Sequence, residues 1–151
     1  MLLGLAALLL AIQLVPYGRA HTNPPVVMEP AWDAPATREL VRTACYDCHS
    51  NETRWPWYAH VAPASWLVQR DVDEGRAHLN FTEWHLPQED ADDAAEEVRS
   101  GAMPQWPYPL LHGGARLTEE QREQLAASFE RMFEGRSEGA QPPGPQSDRT
   151  P

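Results

Sequence analysis

Residues 43–60 read TACYDCHSNETRWPWYAH and contain both cysteines of the 151-residue chain. Cys45 and Cys48 are separated by two residues, and His49 follows directly. Three kinds of site use a cysteine pair at this spacing: a redox dithiol, half of a zinc site and a c-type haem attachment site. The choice among them determines which fold and which function the rest of the chain has to support.

Two of these sites find little support elsewhere in the sequence. A structural zinc site needs four ligands, commonly from two close pairs, and the remaining histidines form no second close pair: His21, His60, His78, His85 and His112. A thioredoxin-like dithiol belongs to a βαβ pattern, and no strand alternation is visible. A disulfide across so short a loop would add little stability.

The full pentapeptide CYDCH matches the c-type haem attachment motif. Two thiols can add across the two vinyl groups of haem, and the two intervening residues let both sulfurs reach one edge of the ring. The motif therefore predicts one covalent haem c per chain, with thioethers at Cys45 and Cys48. It also predicts His49 as the proximal iron ligand.

Met103 is the predicted distal ligand, in the segment SGAMPQWPY. The proline that follows keeps this methionine out of a helix, and Met/His ligation suits an electron carrier. Met132 belongs to an apolar helix stripe and Met28 lies near the N-terminal segment, so neither is favoured. The alternatives are an open site or one of four histidines: His60, His78, His85 and His112.

The apolar periodicity predicts an all-α fold with short helices and long loops rich in proline, which occurs 15 times. Helices are predicted over residues 33–43, with Asp33 as N-cap, over 63–75, over 87–100 with Gly101 as its stop, and from Thr118. The last has a capping box of Thr118 and Gln121. Its apolar stripe comprises Leu125, Phe129, Met132 and Phe133.

The N-terminal run from Leu2 to Val15 is apolar and uncharged. It is shorter than a typical membrane-spanning helix but suits the hydrophobic region of a signal peptide, with cleavage after Ala20. We therefore predict residues 1–20 as a signal peptide or membrane anchor, residues 21–134 as the folded domain and residues 135–151 as a disordered tail. Export to the periplasmic side is expected, and cleavage remains open.

The formal net charge of −10 argues against a nucleic-acid partner, because phosphate binding needs a basic patch. An acidic protein is steered instead toward basic partners. The charge is thus typical of a solvated acidic surface that aids solubility, and it is compatible with a redox partner protein that has a basic docking surface.

Residues 44–84, ACYDCHSNETRWPWYAHVAPASWLVQRDVDEGRAHLNFTEW, resemble the bacterial haem-binding domain family of small monohaem, cytochrome c-like proteins. A G-x-M-P loop and the block PLLHGGARLTEEQ follow in the same order as in that family. The resemblance covers residues 21–134. The sequence departs from the family in lacking basic residues before its apolar N-terminal run.

The resemblance implies a small cytochrome c-like helical domain wrapped around one covalent haem. It implies thioethers at Cys45 and Cys48, a proximal ligand at His49 and a distal ligand at Met103. A monohaem electron carrier at the outer face of the membrane is the function it favours. A carrier needs a redox protein as partner, and the resemblance does not identify one. The alternative is a haem-based sensor with a displaceable sixth ligand; the sequence offers no constellation for a peroxidase or other enzyme.

Several further side chains are candidates to surround the haem. Four aromatic residues supply flat apolar surface for the ring: Trp55, Trp57, Tyr58 and Trp66. Arg54 is a candidate to pair with a haem propionate. Asn51 and Asn80 are expected to brace loops.

Overall fold

The computed structural model describes residues 1–88 and 90–139, and this part of the chain contains helices and no β-strand. The α-helices are α1 (Leu2–Ile12), α2 (Pro35–Ala44), α3 (Tyr46–His49), α4 (Ala64–His78), α5 (Ala94–Ser100), α6 (Tyr108–Leu111) and α7 (Glu119–Gly139). Short 3-10 helices lie at Trp57–His60 and Gly113–Ala115. The prediction of an all-α fold is confirmed.

The longest helix, α7, begins with the predicted capping box. The backbone N–H of Thr118 donates to Gln121 Oε1 at 2.9 Å, and the N–H of Gln121 donates to Thr118 Oγ1 at 3.2 Å. The apolar face that follows packs against α5 and α2 and buries Leu125, Phe129 and Phe133. Helix α7 therefore supplies the main apolar wall of the domain.

Helix α7 also continues past Gly135, where the disordered tail was predicted to begin, and ends at Gly139. The remainder of that predicted tail, residues 140–151, lies outside the described residues.

Helix α2 begins at Pro35 with Ala34 as its N-cap, so the prediction of Asp33 as the cap was wrong. Asp33 instead accepts a hydrogen bond from the guanidinium of Arg131 on α7. This ion pair lowers the pKa of the Asp33 carboxyl. The sequence pattern was misleading because a carboxylate near a helix start can serve a distant partner as well as a local one.

Helix α5 begins at Ala94, later than the predicted start at residue 87. Asp90, Asp92 and Asp93 precede it, and aspartate favours turns over helix interiors because its side chain competes for backbone N–H groups. The end of α5 is as predicted: Gly101 has a φ of +79° and closes the helix. A Cβ atom at Gly101 would also lie 2.3 Å from Arg122 Nη1.

The segment that follows α1 is packed onto the domain. The side-chain amide of Gln13 donates to the Ala62 carbonyl at 2.9 Å and accepts from the Ala62 N–H at 3.0 Å. Gly18, with a φ of +76°, is buried so close to α4 that a Cβ atom would lie 2.3 Å from the Ser65 carbonyl oxygen. Residues 13–18 are thus an ordered part of the fold.

Helix α1 itself is apolar and has no buried residue. Within the described part of the chain, no helix is long and apolar enough to cross a membrane.

Candidate haem-binding site

The CYDCH motif forms a single helical turn directly after α2. Cys45, with a φ of −122°, interrupts the helix, and α3 then begins at Tyr46. The N–H groups of Cys48 and His49 both donate to the Cys45 carbonyl, at 3.2 and 2.9 Å. This tight turn brings the two thiols and the imidazole to one side of the chain.

These three residues open into a cavity of about 500 Å³. That volume lies within the range of about 300–1,000 Å³ typical of cofactor and ligand sites. Its apolar lining comes from α2, α5, α7 and the loop after α4, and comprises Ala44, Leu79, Phe81, Ala94, Val98 and Phe129. The cavity is therefore suited to a flat, largely apolar group.

His49 is held in a single tautomer at the edge of this cavity. Its Nδ1 lies 3.0 Å from the Leu79 carbonyl oxygen, and because a carbonyl can only accept, Nδ1 must carry the hydrogen. Nε2 is then left with a free lone pair, as a metal-ligating histidine requires. Burial lowers the pKa of His49, which favours the neutral ligand form.

The loop after α4 supports the motif through its backbone. The N–H of Phe81 donates to the His49 carbonyl at 2.9 Å, and the N–H of Asn51 donates to Thr82 Oγ1 at 2.8 Å. The amide of Asn80 donates to Asn51 Oδ1 at 3.0 Å. The prediction that Asn51 and Asn80 brace loops is confirmed, and the loop they brace is the one that orients His49.

Gly75 allows α4 to approach the motif closely. A Cβ atom at this position would lie 2.6 Å from the Cys48 carbonyl oxygen and 3.1 Å from Cys48 Cβ. Any larger side chain would push α4 away from Cys48. The sequence did not identify Gly75 as important, because a glycine within a helical pattern gives no sign of which distant residue it contacts.

The two cysteines are free thiols. Burial raises the pKa of both Cys45 and Cys48 to about 12. Redox dithiols have lowered thiol pKa values, so this environment does not favour the dithiol interpretation. In residues 1–88 and 90–139, no group of three or more His, Cys, Asp and Glu side chains is arranged to hold a metal ion such as zinc.

Met103 lines the same cavity as the motif. Its N–H donates to the Glu97 carbonyl at 2.9 Å, and its half-buried side chain packs against the apolar core. Met132 packs against the core and Met28 is exposed, and neither is a lining residue. The structure thus brings together all four predicted site residues: Cys45, Cys48, His49 and Met103.

Of the histidines considered as alternative ligands, His78 alone lines this cavity in the described structure. His78 is exposed and its Nδ1 contacts the carboxylate of Asp90. His60 and His85 are exposed, and His112 stacks on Tyr108 with ring centroids 4.0 Å apart. Met103 and His78 are therefore the two candidate distal ligands that line this cavity.

The aromatic residues predicted to enclose the ring lie elsewhere. Trp57 is 79% exposed, and Trp55 stacks on His21. None of the four candidates, Trp55, Trp57, Tyr58 and Trp66, is among the described residues that line the cavity. Phe81, Phe129 and Tyr108 provide its aromatic surface instead. The two phenylalanines belong to the apolar core, and Tyr108 packs against it.

Arg54 is likewise away from the cavity. Its Nε lies 3.2 Å from Asp47 Oδ1, so the structure gives no support to its predicted pairing with a propionate. No Lys or Arg appears among the described lining residues, whereas five carboxylates do: Asp71, Glu74, Asp90, Asp93 and Glu97. The sequence did not reveal this acidic lining, because these residues come from separate segments.

A comparison with protein-family models decides the family. The model described as "Haem-binding domain" matches residues 7–131, which is most of the chain. The chain belongs to the haem-binding domain family. No curated protein and no solved structure matches it.

Haem binding explains the features of the cavity. The haem-binding domain offers two thiols, a neutral imidazole and a thioether around a largely apolar space, and side chains of these types can hold haem. The family match begins at residue 7, inside α1. The N-terminal segment that packs on α4 is therefore part of the family's common sequence.

Proposed function

We propose that the chain binds its haem covalently, as haem c, and acts as a monohaem electron carrier at the outer face of the bacterial cytoplasmic membrane. One observation carries this proposal: Cys45, Cys48, His49 and Met103 line a single cavity, although Met103 is far from the motif in sequence. The sequence motif alone does not place a methionine beside the two cysteines and the histidine, whereas the fold does.

Each residue has a distinct role in this proposal. Cys45 and Cys48 hold the cofactor through thioethers, His49 Nε2 is the proximal ligand and the Met103 sulfur is the distal ligand. Haem supplies a one-electron couple between ferric and ferrous iron when bound. The hydrogen bond from His49 to Leu79 keeps the imidazole oriented in both states. Because His49 and Met103 would both bind the iron, we assign no catalytic residue.

The acidic lining supports a basic redox partner. Five carboxylates around the cavity and a net charge of −10 create a negative potential at the side where electrons would enter and leave. Such a field attracts a positively charged surface and weakens with salt. The proposed partner is therefore a redox protein that presents a basic patch to this side.

The N-terminal segment supports membrane attachment without cleavage after Ala20. Cleavage there would remove Gln13 and Gly18, which make specific contacts with Ala62 and Ser65. A segment destined for removal has no need of such contacts. Helix α1 then remains as an apolar, uncharged anchor for the domain.

The mature protein, isolated from the membrane fraction of a bacterial host, should begin ahead of Ala20. Intact mass and N-terminal sequencing check this expectation, and high salt should not release the protein from membranes. A mature chain that starts at His21 would contradict retention and would leave the haem proposal unaffected.

Carbon monoxide and imidazole distinguish the carrier from the sensor. If Met103 is bound to the iron, an external ligand must displace it. The apparent affinity of that ligand then equals its intrinsic affinity multiplied by the fraction of chains in which the site is free. We expect imidazole to bind oxidised wild-type protein at least about tenfold more weakly than it binds Met103→Ala. Equal affinities, measured by optical titration, would favour the sensor.

A further inference from the structure

A partly buried hydrogen bond joins the Met103 segment to the cysteine motif. The hydroxyl of Tyr108 donates to Asp47 Oδ2 at 2.7 Å. Asp47 lies between Cys45 and Cys48, and Tyr108 begins α6, in the segment that follows Met103. The bond therefore connects the proximal and distal sides of the cavity through the protein itself.

Asp47 is a junction between three segments. Its Oδ1 accepts from the Arg54 backbone N–H at 3.1 Å and from Arg54 Nε at 3.2 Å, so Oδ2 is left for Tyr108. The carboxylate is buried, with 9% of its side chain exposed. A buried carboxylate oxygen without its donor is costly, and this cost favours the Tyr108 contact.

Tyr108 lies between two cavities. It lines the large cavity together with Met103, and it lines a second cavity of about 40 Å³ together with Asp47 and Cys48. Its ring stacks on His112 at 16° between planes. Burial, followed by the hydrogen bond to Asp47, raises the pKa of Tyr108, so the hydroxyl stays a donor.

The Met103 segment is tethered at its two ends. At the first end, the N–H of Met103 donates to the Glu97 carbonyl at 2.9 Å. Tyr108 lies at the other end. Trp106, between Met103 and Tyr108, is 78% exposed. On the C-terminal side of the methionine, the Tyr108 hydroxyl ties the segment to Asp47, and farther along Arg116 donates to the Pro109 and Leu110 carbonyls.

We propose that Tyr108 is a positioning residue that, through its hydrogen bond to Asp47, holds the Met103 segment over the cavity and excludes external ligands. This inference rests on the proposed function, since it assigns Tyr108 a role only if Met103 is the distal ligand. Tyr108 is assigned no role as an iron ligand. It acts on the equilibrium between two states of the Met103 segment, one over the cavity and one released from it, and it favours the first.

Loss of the hydroxyl should appear directly in ligand affinity. An external ligand binds only the released form, so its apparent affinity rises in proportion to the population of that form. A hydrogen bond to a buried charged group is worth about ten- to a hundredfold in such an equilibrium. Imidazole should therefore bind oxidised Tyr108→Phe about ten- to a hundredfold more tightly than it binds wild type.

The experiment compares matured Tyr108→Phe with wild type and with Tyr58→Phe by imidazole titration. Tyr58 is the matched control, because its hydroxyl lies 3.4 Å from His112 Nε2 and makes no contact with Asp47 among the described hydrogen bonds. Tyr58→Phe should keep wild-type affinity. The sulfur-to-iron charge-transfer band of oxidised Tyr108→Phe should also be lost at a lower temperature than in wild type.

Two outcomes would overturn the proposal, and they are distinguishable. If wild type shows the sulfur band and Tyr108→Phe binds imidazole within about twofold of it, Tyr108 has no positioning role while the proposed ligation stands. If wild type lacks the band, both fail. Should Tyr108→Phe not mature, Asp47→Asn decides, since it weakens the same bond from its acceptor side; tighter imidazole binding supports the proposal and unchanged binding overturns it.

Discussion

The double variant Cys45→Ser/Cys48→Ser should release all of its haem into acidified acetone, whereas wild-type protein should retain its haem on the chain. A hydroxyl does not form the thioether that a thiol forms, so only axial bonds would remain, and acid breaks them. Each single variant should keep one thioether, with a pyridine haemochrome spectrum between those of the double variant and wild type. Extraction and spectra of the four proteins check this directly.

The fraction of the double variant that carries no haem should also be less stable than wild type. The cavity measures about 500 Å³. An unfilled apolar cavity costs roughly 24 cal/mol per Å³, so even a tenth of that cost would lower the free energy of unfolding by about 1 kcal/mol. A domain of this size has only about 5–15 kcal/mol of stability to lose from. Circular dichroism during thermal unfolding measures this loss.

Two results on wild-type protein would contradict the prediction of covalent haem. Free haem in its acetone extract, or two titratable thiols in the matured chain, would remove the haem c assignment and leave non-covalent haem binding. The small volume change from Cys to Ser makes a packing defect at these positions a poor explanation for haem loss. Met132→Leu serves as a core control, because that substitution roughly conserves volume.

Local signals in the sequence predicted several elements correctly. The capping box of Thr118 and Gln121 and the stop at Gly101 are contained in a few adjacent residues, and the structure has both. The CYDCH motif is equally local, and its turn follows from its own backbone hydrogen bonds. Where a feature depends on neighbours in the chain, the sequence is sufficient.

Several features that the sequence did not predict depend on contacts between separate segments. Asp33 failed as an N-cap because Arg131, far along the chain, takes its carboxylate. Arg54 is engaged with Asp47, and Gly75 is needed because α4 meets the Cys48 carbonyl. Neither pairing has a signature in the order of residues.

The tryptophans show how residue type alone can mislead about a site. An aromatic-rich stretch beside the motif suggested walls for a flat ring, yet Trp57 faces solvent and Trp55 stacks on His21. Phe81 fills the role because the backbone of its loop is hydrogen-bonded to His49 and so lies against the cavity. The position of a side chain relative to the cavity, and not its size, therefore decides whether it can surround the haem.

Replacing Met103 by alanine should abolish the near-infrared sulfur-to-iron band of the oxidised protein and lower its reduction potential by on the order of 100 mV, within the roughly 0.8 V that axial ligands span. A thioether is a soft ligand that favours ferrous iron, so its loss favours the ferric state. The vacated position should then bind imidazole and carbon monoxide readily. Spectroelectrochemistry of the variant beside wild type measures both changes.

Two matched variants make this prediction specific. Met132→Leu changes a methionine on the α7 core face that does not line the cavity, and it should leave band and potential unchanged. His78→Ala tests the other candidate that the cavity allows, and it should also preserve the sulfur band. If Met103→Ala instead keeps the wild-type spectrum and potential while His78→Ala alters both, the distal ligand is His78. If neither variant changes the spectrum, the iron has no distal side-chain ligand from this cavity and the sensor becomes the better proposal, because a carrier needs a coordination that stays the same in both oxidation states.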